Sequence, residues 1–288
     1  GAGLEDAPGE GLEGLAVVAE AREQPLDVLL RLRLVDLRVG EVGGVEGPLH
    51  PVPHLTVRGL LGGEGAQRGE VVGVGRSRGN LDRALARGAI DRALMLDDAW
   101  TDEVRYANFV LIAIPVAQYR GIFSALSPVL GPRTVVTDAG STKQDVVLAA
   151  RACLGQRLPQ FVPAHPIAGS ERSGADAGDA ALYVGRQVIL TPLPETSSAA
   201  LKRVEEFWTA CGARVARLDP ARHDRVLAAV SHLPHLLAFA LVADLAARPD
   251  SDEYLSNAGS GFRDFTRIAG SSPEMWRDIA LANRAFLL

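Results

Sequence analysis

Only two cysteines occur among the 288 residues, Cys153 and Cys211, and they lie far apart. They form no metal-type pair, so no metal site is expected and a reducing cytoplasm is the expected compartment. A surplus of positive charge is also lacking. The net charge of -5 gives no general attraction to nucleic acid or an anionic membrane. Long hydrophobic runs are absent too: the longest without a charge, Leu233 to Val242, holds a Pro and a His and is too short to cross a bilayer. The acidic, Gly-rich start does not read as a signal peptide. What remains is ordinary for a soluble protein, with 47% hydrophobic and 23% charged residues, enough for one large or two modest domains.

The sharpest absence is local. Residues 1–68 use only eleven residue types, with no Ser, Lys, Asn, Ile, Phe, Tyr, Trp, Met or Cys, yet hold thirteen of the 30 glycines. One reading is a flexible low-complexity extension. The favoured one is translation of GC-rich coding DNA in the wrong frame or from the wrong strand. Short helices are expected at most around Gly11 to Glu23 and Leu26 to Leu37, where Leu and Val are dense.

From residue 70 the pattern changes. Val71 to Val74, Phe109 to Pro115, Thr134 to Asp138, Phe161 to Ala164, Gln187 to Thr191 and Arg214 to Leu218 read as short buried strands. Between them Asn80 to Arg87, Gln118 to Leu130, Lys143 to Leu154 and Ser198 to Cys211 read as helices, the first capped by Asn80 and stopped at Gly88. This alternation predicts a doubly wound parallel sheet. After Asp219-Pro220 the pattern is wholly helical, with Ala221 to Ala247 and Pro273 to Leu288 as long helices. The expected organisation is therefore an anomalous segment (1–68), a partial dinucleotide-binding domain (69–219) and a shortened helical substrate and dimerisation domain (220–288).

Ligands of such sheets bind beyond the carboxyl ends of the strands. That rule selects Gly75-Arg76-Ser77-Arg78, Pro115-Val116, Asp138-Ala139-Gly140-Ser141-Thr142-Lys143 and Ala164-His165-Pro166-Ile167-Ala168-Gly169-Ser170-Glu171. His165 at such an edge could be structural or a general base, since imidazole titrates near neutrality. Ser141 could simply cap the helix beginning near Lys143, leaving backbone N–H groups aimed at the crevice. His232 and His235 share one face of an apolar helix, where lining a polar pocket is a better reading than binding a metal. Arg263 and Arg267 lie one helical turn apart; they are either solvated or a guanidinium clamp for a carboxylate.

Taken together, Asp138-x-Gly140-Ser141-x-Lys143, His165-Pro166-Ile167-Ala168-Gly169-Ser170-Glu171, Ser231-His232-Leu233-Pro234-His235, Gly261-Phe262-Arg263-Asp264-Phe265-Thr266-Arg267-Ile268-Ala269 and Met275-Trp276-Arg277-Asp278-Ile279 run in the order found in one family. From about Val71 to Leu288 the chain resembles the prephenate/arogenate dehydrogenases of tyrosine biosynthesis. The resemblance implies a Rossmann-like α/β domain followed by an all-helical one. It also implies oxidative decarboxylation of a cyclohexadienyl acid, with hydride transfer to NAD or NADP. It makes His165 the acceptor of the substrate hydroxyl proton and Ser141 a holder of that hydroxyl and the nicotinamide. Arg267 would bind a substrate carboxylate, while His235 and His232 would line the pocket. The helical domain would form a homodimer, with Trp276 near its interface.

Two features depart from that family. The strand followed by G-x-G-x-x-G that holds the pyrophosphate is expected before Gly69, where Gly59-Leu60-Leu61-Gly62-Gly63 is only a partial echo. The first strand and phosphate helix are thus expected to be missing and the sheet to lack a central strand. The strand end at Arg76-Ser77-Arg78 also has no acidic residue before Asp82, where an NAD enzyme usually places one for the ribose 2′-hydroxyl. Two cations and a hydroxyl suit a 2′-phosphate and favour NADP, unless both arginines are merely exposed. An inactive remnant that keeps the substrate pocket is the alternative function. A β-hydroxy-acid dehydrogenase is disfavoured, since such enzymes use a lysine in the helical domain and residues 219–288 have none.

Overall fold

The computed structural model describes residues 15–20, 70–169, 174–179 and 181–288. The expected helix Leu26 to Leu37 lies outside them. The chain begins with β1 (Leu15–Glu20), β2 (Glu70–Gly75), α1 (Arg78–Ala86), β3 (Arg92–Met95), α2 (Thr101–Val104) and β4 (Ala107–Ala113). It continues with α3 (Tyr119–Leu126), β5 (Val135–Asp138), α4 (Gln144–Cys153) and β6 (Phe161–Val162). These six strands form one sheet in the order β3-β2-β1-β4-β5-β6. Next come β7 (Ala164–Pro166), β8 (Gln187–Leu190), α5 (Ser198–Ala210) and β9 (Arg214–Arg217); β7, β8 and β9 make a second, three-stranded sheet.

Side chains alternate across the large sheet, as the strand period of two requires. Val72, Val74, Val110, Ile112 and Val136 share a core with Tyr119 and Phe123 of α3 and with Val146, Val147 and Ala150 of α4. Val71 instead packs with Leu81 and Ala84 of α1, and Phe109 and Val135 with Ala200, Val204 and Trp208 of α5. The sheet is therefore covered by helices on both faces. Gly73 is needed for this packing, because a Cβ there would come within 2.6 Å of Ile90 Cδ1.

Several local expectations are corrected. The segment around Gly11 to Glu23 forms a strand rather than a helix over Leu15–Glu20. It holds the central position expected to be vacant, since the facing edges of β2 and β4 are rows of N–H and C=O groups that need partners. It pairs antiparallel to both, with Leu15 opposite Gly75 and Ala113 and Glu20 opposite Glu70 and Ala107. β3 has a pattern too short and mixed to stand out in the sequence. α1 starts two residues earlier than expected, with Ser77 as its cap: Ser77 Oγ accepts from Asn80 N–H at 3.2 Å. Asn80 is instead buried, its Oδ1 accepting from Ala175 N–H at 2.6 Å. Gly88 does terminate that region, at φ 65°.

The helical part holds α6 (Pro220–Leu227), a π-helical turn (Ala228–His232), α7 (Leu233–Ala246), α8 (Ser251–Ser256), α9 (Ser260–Thr266), α10 (Pro273–Ala282) and α11 (Arg284–Leu287). Asp219 caps α6 through Arg222 N–H at 2.9 Å, with Pro220 at the first helical position. Pro234 has no N–H, so the expected uniform helix widens into the π turn just before it. Helical structure nevertheless runs unbroken over Pro220–Ala246, 27 residues, and its most apolar 18-residue stretch has a mean hydropathy of 1.9 and is 22% buried. By length and composition it could cross a membrane, unlike the shorter charge-free run on which the sequence argument rested. Trp276 and Ile279 of α10 join the core of the sheet beside Val116, which docks the helices against the α/β part.

Candidate active site

The site grows from the carboxyl end of β5. Asp138, fully buried, receives four hydrogen bonds. Its Oδ2 accepts from Lys143 Nζ at 2.5 Å, the Tyr119 hydroxyl at 3.0 Å and Gly140 N–H at 2.9 Å; its Oδ1 accepts from Ala164 N–H at 2.8 Å. A charge this deep persists only when its lone pairs are taken, and here they are. The turn after β5 is thus wound around its own carboxylate. Gly140 cannot carry a side chain, because a Cβ would sit 2.8 Å from the Tyr119 hydroxyl and 2.9 Å from Asp138 Oδ2. Its glycine is demanded by this packing. Burial, then Asp138, hold the Tyr119 phenol well above its usual range, so it stays a donor.

The bond to Ala164 N–H fixes the start of β7 and therefore the next residue, His165. His165 Nδ1 lies 2.9 Å from His223 Nε2, and His223 Nδ1 lies 2.8 Å from Asp224 Oδ1. Both partners come from α6 and are buried. Asp224 also caps α4, accepting from Lys143 N–H and Gln144 N–H at 2.8 Å each. Ser141 is therefore not the cap of α4: Lys143 holds that position without a side-chain bond of its own, and the backbone donors expected to face the crevice are occupied by Asp224. Ser141 remains half-buried beside Gly140 in the strand-end turn. Burial first, then the His223, Lys143 and His232 charges, hold His165 well below the ordinary imidazole value.

The π turn and its neighbours supply the far wall. His232 is buried, and its Nδ1 accepts from Asn283 Nδ2 at 2.9 Å, while the same amide donates to the Asp224 carbonyl at 2.8 Å. Burial lowers His232 to about 4, against a smaller upward pull from Asp224. His235 stacks on Trp276 with centroids 3.6 Å apart and planes at 16°. Its Nδ1 donates to the Ser231 carbonyl at 2.9 Å, which leaves Nε2 as an acceptor when the ring is neutral. Burial lowers His235 as well, and the Arg267 cation adds to that. Arg267 opens the 3-10 turn after α9 and Arg263 lies in the last turn of α9; both are exposed. Of the two, Arg267 is thus the one coupled to His235.

At the other strand ends, Arg76 and Arg78 are exposed, Ser77 Oγ is the α1 cap, and Arg78 pairs with Asp82 at 3.0 Å. Pro115 is half-buried, and the Val116 side chain is in the core, so only its backbone faces outward. Among the described residues no three His, Cys, Asp or Glu gather as a metal site. A dinucleotide would meet exposed cations at this edge in Arg76 and Arg78 beside β2. It does not find the pyrophosphate turn in β1, which is antiparallel to its neighbours: its amino end, not its carboxyl end, lies at the ligand edge. Gly9-x-Gly11-x-x-Gly14 has the glycine spacing but precedes the strand instead of following it. It and Gly59 to Gly63 lie outside the described residues.

His223, Asp224, Tyr119 and Asn283 were not expected at the site from the sequence. An adjacent His-Asp in the first turns of the helix that begins at Pro220 was the signal available for the first two.

The family model described as prephenate dehydrogenase, nucleotide-binding domain, matches residues 64–217, and that described as prephenate dehydrogenase, dimerization domain, matches residues 219–288. The chain belongs to the prephenate dehydrogenase family. It is 36% identical to the cyclohexadienyl dehydrogenase of Zymomonas mobilis over 203 residues, covering 68% of this chain and 69% of that one. It is 36% identical to the prephenate dehydrogenase of Bacillus subtilis over 220 residues, covering 76% of this chain but only 58% of that one. The prephenate dehydrogenase of Aquifex aeolicus, solved with hydroxyphenyl propionate and NAD+, superposes with a TM-score of 0.69 at 38% identity, covering 77% of this chain and 76% of that one. The prephenate dehydrogenase family thus joins a nucleotide-binding α/β unit to a helical one, as in this chain.

Proposed function

We propose that the chain oxidatively decarboxylates prephenate, arogenate or both, as a step of tyrosine formation. The observation that carries this reading is His165, a desolvated imidazole at a strand end whose Nδ1 is already engaged, leaving Nε2 for substrate. His165 takes the proton of the substrate's ring hydroxyl, which drives the hydride from the same carbon. A nicotinamide dinucleotide, when bound, would be the acceptor of that hydride. Arg267 holds a substrate carboxylate, with Arg263 one helical turn before it, and loss of the ring carboxylate as CO2 makes the ring aromatic. Ser141 steadies the hydroxyl, His235 offers an acceptor from the pocket wall, and His232 supports that wall from behind.

NADP is the favoured cofactor, because Arg76 and Arg78 flank the end of β2 and the acidic residue there, Asp82, is occupied by Arg78. NAD+ in the Aquifex relative speaks for the alternative. Pro115, Val116 and Gly140 border the nicotinamide side. A second copy of the chain is the partner: Val226, Val230, Leu233, Leu237 and Leu241 expose one apolar stripe along α6 and α7, as a dimerization domain requires. The free thiols of Cys153 and Cys211 suit the cytoplasm. Neither nucleic acid nor a membrane is among the proposed partners.

The direct test is reduction of NADP+ and NAD+ by the purified chain with prephenate and with arogenate. Turnover with at least one pair is expected. Tight binding of substrate without any turnover would favour the inactive remnant, a reading that the antiparallel β1 supports.

A further inference from the structure

We infer that His223 and Asp224, from the helical part, are positioning residues that set the tautomer of His165 and hold the charge it gains. This rests on His165 being the base proposed above. The argument is one of donors and acceptors. An ionised carboxylate only accepts, and Asp224 Oδ1 already takes Lys143 N–H, so the bond to His223 Nδ1 must be donated by the ring. A neutral imidazole has one N–H. With Nδ1 protonated, His223 Nε2 is a lone pair, and it faces His165 Nδ1 at 2.9 Å. His165 must then donate from Nδ1, which leaves its own Nε2 bare. The line Asp224–His223–His165 thus selects the single ring nitrogen that can receive a proton.

The same line answers for the product of that step. When Nε2 is protonated, His165 becomes an imidazolium whose Nδ1–H already points at a lone pair backed by a carboxylate. Lys143, His232 and any charge on His223 itself oppose the charging of that ring, so His223 can support it only in its neutral form. His223 and Asp224 supply the compensating acceptor. Asp224 can do so rigidly because two backbone N–H groups of α4 clamp it. Asn283 anchors its main chain from the end of α10. The two parts of the chain therefore meet in the base itself, and their docking is a condition of its protonation state.

The experiment has two arms. In the first, nitrogen-15 histidine spectra of the intact chain without ligands, at pH 7.5, are expected to show neutral His165 and His223 both carrying hydrogen on Nδ1. In His223→Phe, His165 is expected to lose that preference and show the Nε2–H form. A wild-type His165 carrying its hydrogen on Nε2, or one unchanged in His223→Phe, overturns the inference even if the chain turns over neither substrate. In the second arm, His223→Phe is expected to lower kcat about 100-fold with KM within about twofold, and to move the acid limb of the kcat profile. His223→Gln, which restores an acceptor, should recover about tenfold of that loss. Equal loss in both variants with an unmoved acid limb would mark a merely structural role and overturn the inference.

Discussion

The strand ends at β5 and β2 both border the crevice, yet they are built in opposite ways. At β5 the charged groups are closed on partners: Asp138 receives four bonds, Lys143 is wholly buried, and Asp224 seals the α4 terminus from the other side. At β2 Arg76 and Arg78 are exposed, Arg78 pairing with Asp82 at the surface, and Ser77 Oγ accepts from Asn80 N–H. One end is set before any ligand arrives and the other is left adaptable. Acid–base chemistry needs a group held to within tenths of an ångström, whereas a cofactor's outer ribose or phosphate can be met by flexible cations.

The contrast breaks first at its centre. His165→Asn is expected to reduce turnover by about 10³-fold while changing cofactor affinity little, read by kcat and by cofactor titration. Equal loss in both would place His165 in the binding wall instead. Next, Lys143→Met leaves the Asp138 carboxylate buried without its cation and should cost about 3–5 kcal/mol, measured by denaturant unfolding. A loss under about 1 kcal/mol would mean that Tyr119 and the backbone donors suffice.

Acidity should act more gently and in a definite sense. His232 falls from 6.5 to about 4 on folding. Its folded value is below its unfolded one, so the stability is complete above about pH 6.5 and is lost as pH falls towards 4. His165 is lowered likewise and adds in the same direction. Unfolding at pH 5 should therefore show at least about 2 kcal/mol less stability than at pH 7.5, the part due to His232 alone; equal stability at the two values would mean that these rings stay charged or solvated in the fold. The smallest effect belongs to β2. Arg76→Ala with Arg78→Ala should raise the KM for NADP about tenfold and leave that for NAD within twofold. An unchanged ratio would make both arginines ordinary surface charges.

The alternation of short β-branched runs with helices was open to reading, because burial on two faces imposes it residue by residue. So were the strand ends, since a doubly wound sheet exposes only its carboxyl edge to ligands. Local caps were less legible. Asn80 and Ser141 look like caps by type, but Asn80 is used by Ala175 N–H, and the α4 terminus is taken by a carboxylate 81 residues away. The antiparallel course of β1 was not legible at all, since strand pairing depends on which backbone edges are left open.

The sequence by itself determined the fold class and the small set of residues fit for the chemistry: an imidazole at a strand end, a lysine five residues after an aspartate, arginines a turn apart. Only the tertiary structure decided how they act. It brought His223, 58 residues away, against His165 and turned Asp224 into both a helix cap and a histidine partner. The reason is physical. Residue type limits what a group can donate or accept, but the nitrogen of an imidazole that stays bare is settled by what lies within 3 Å of the other one.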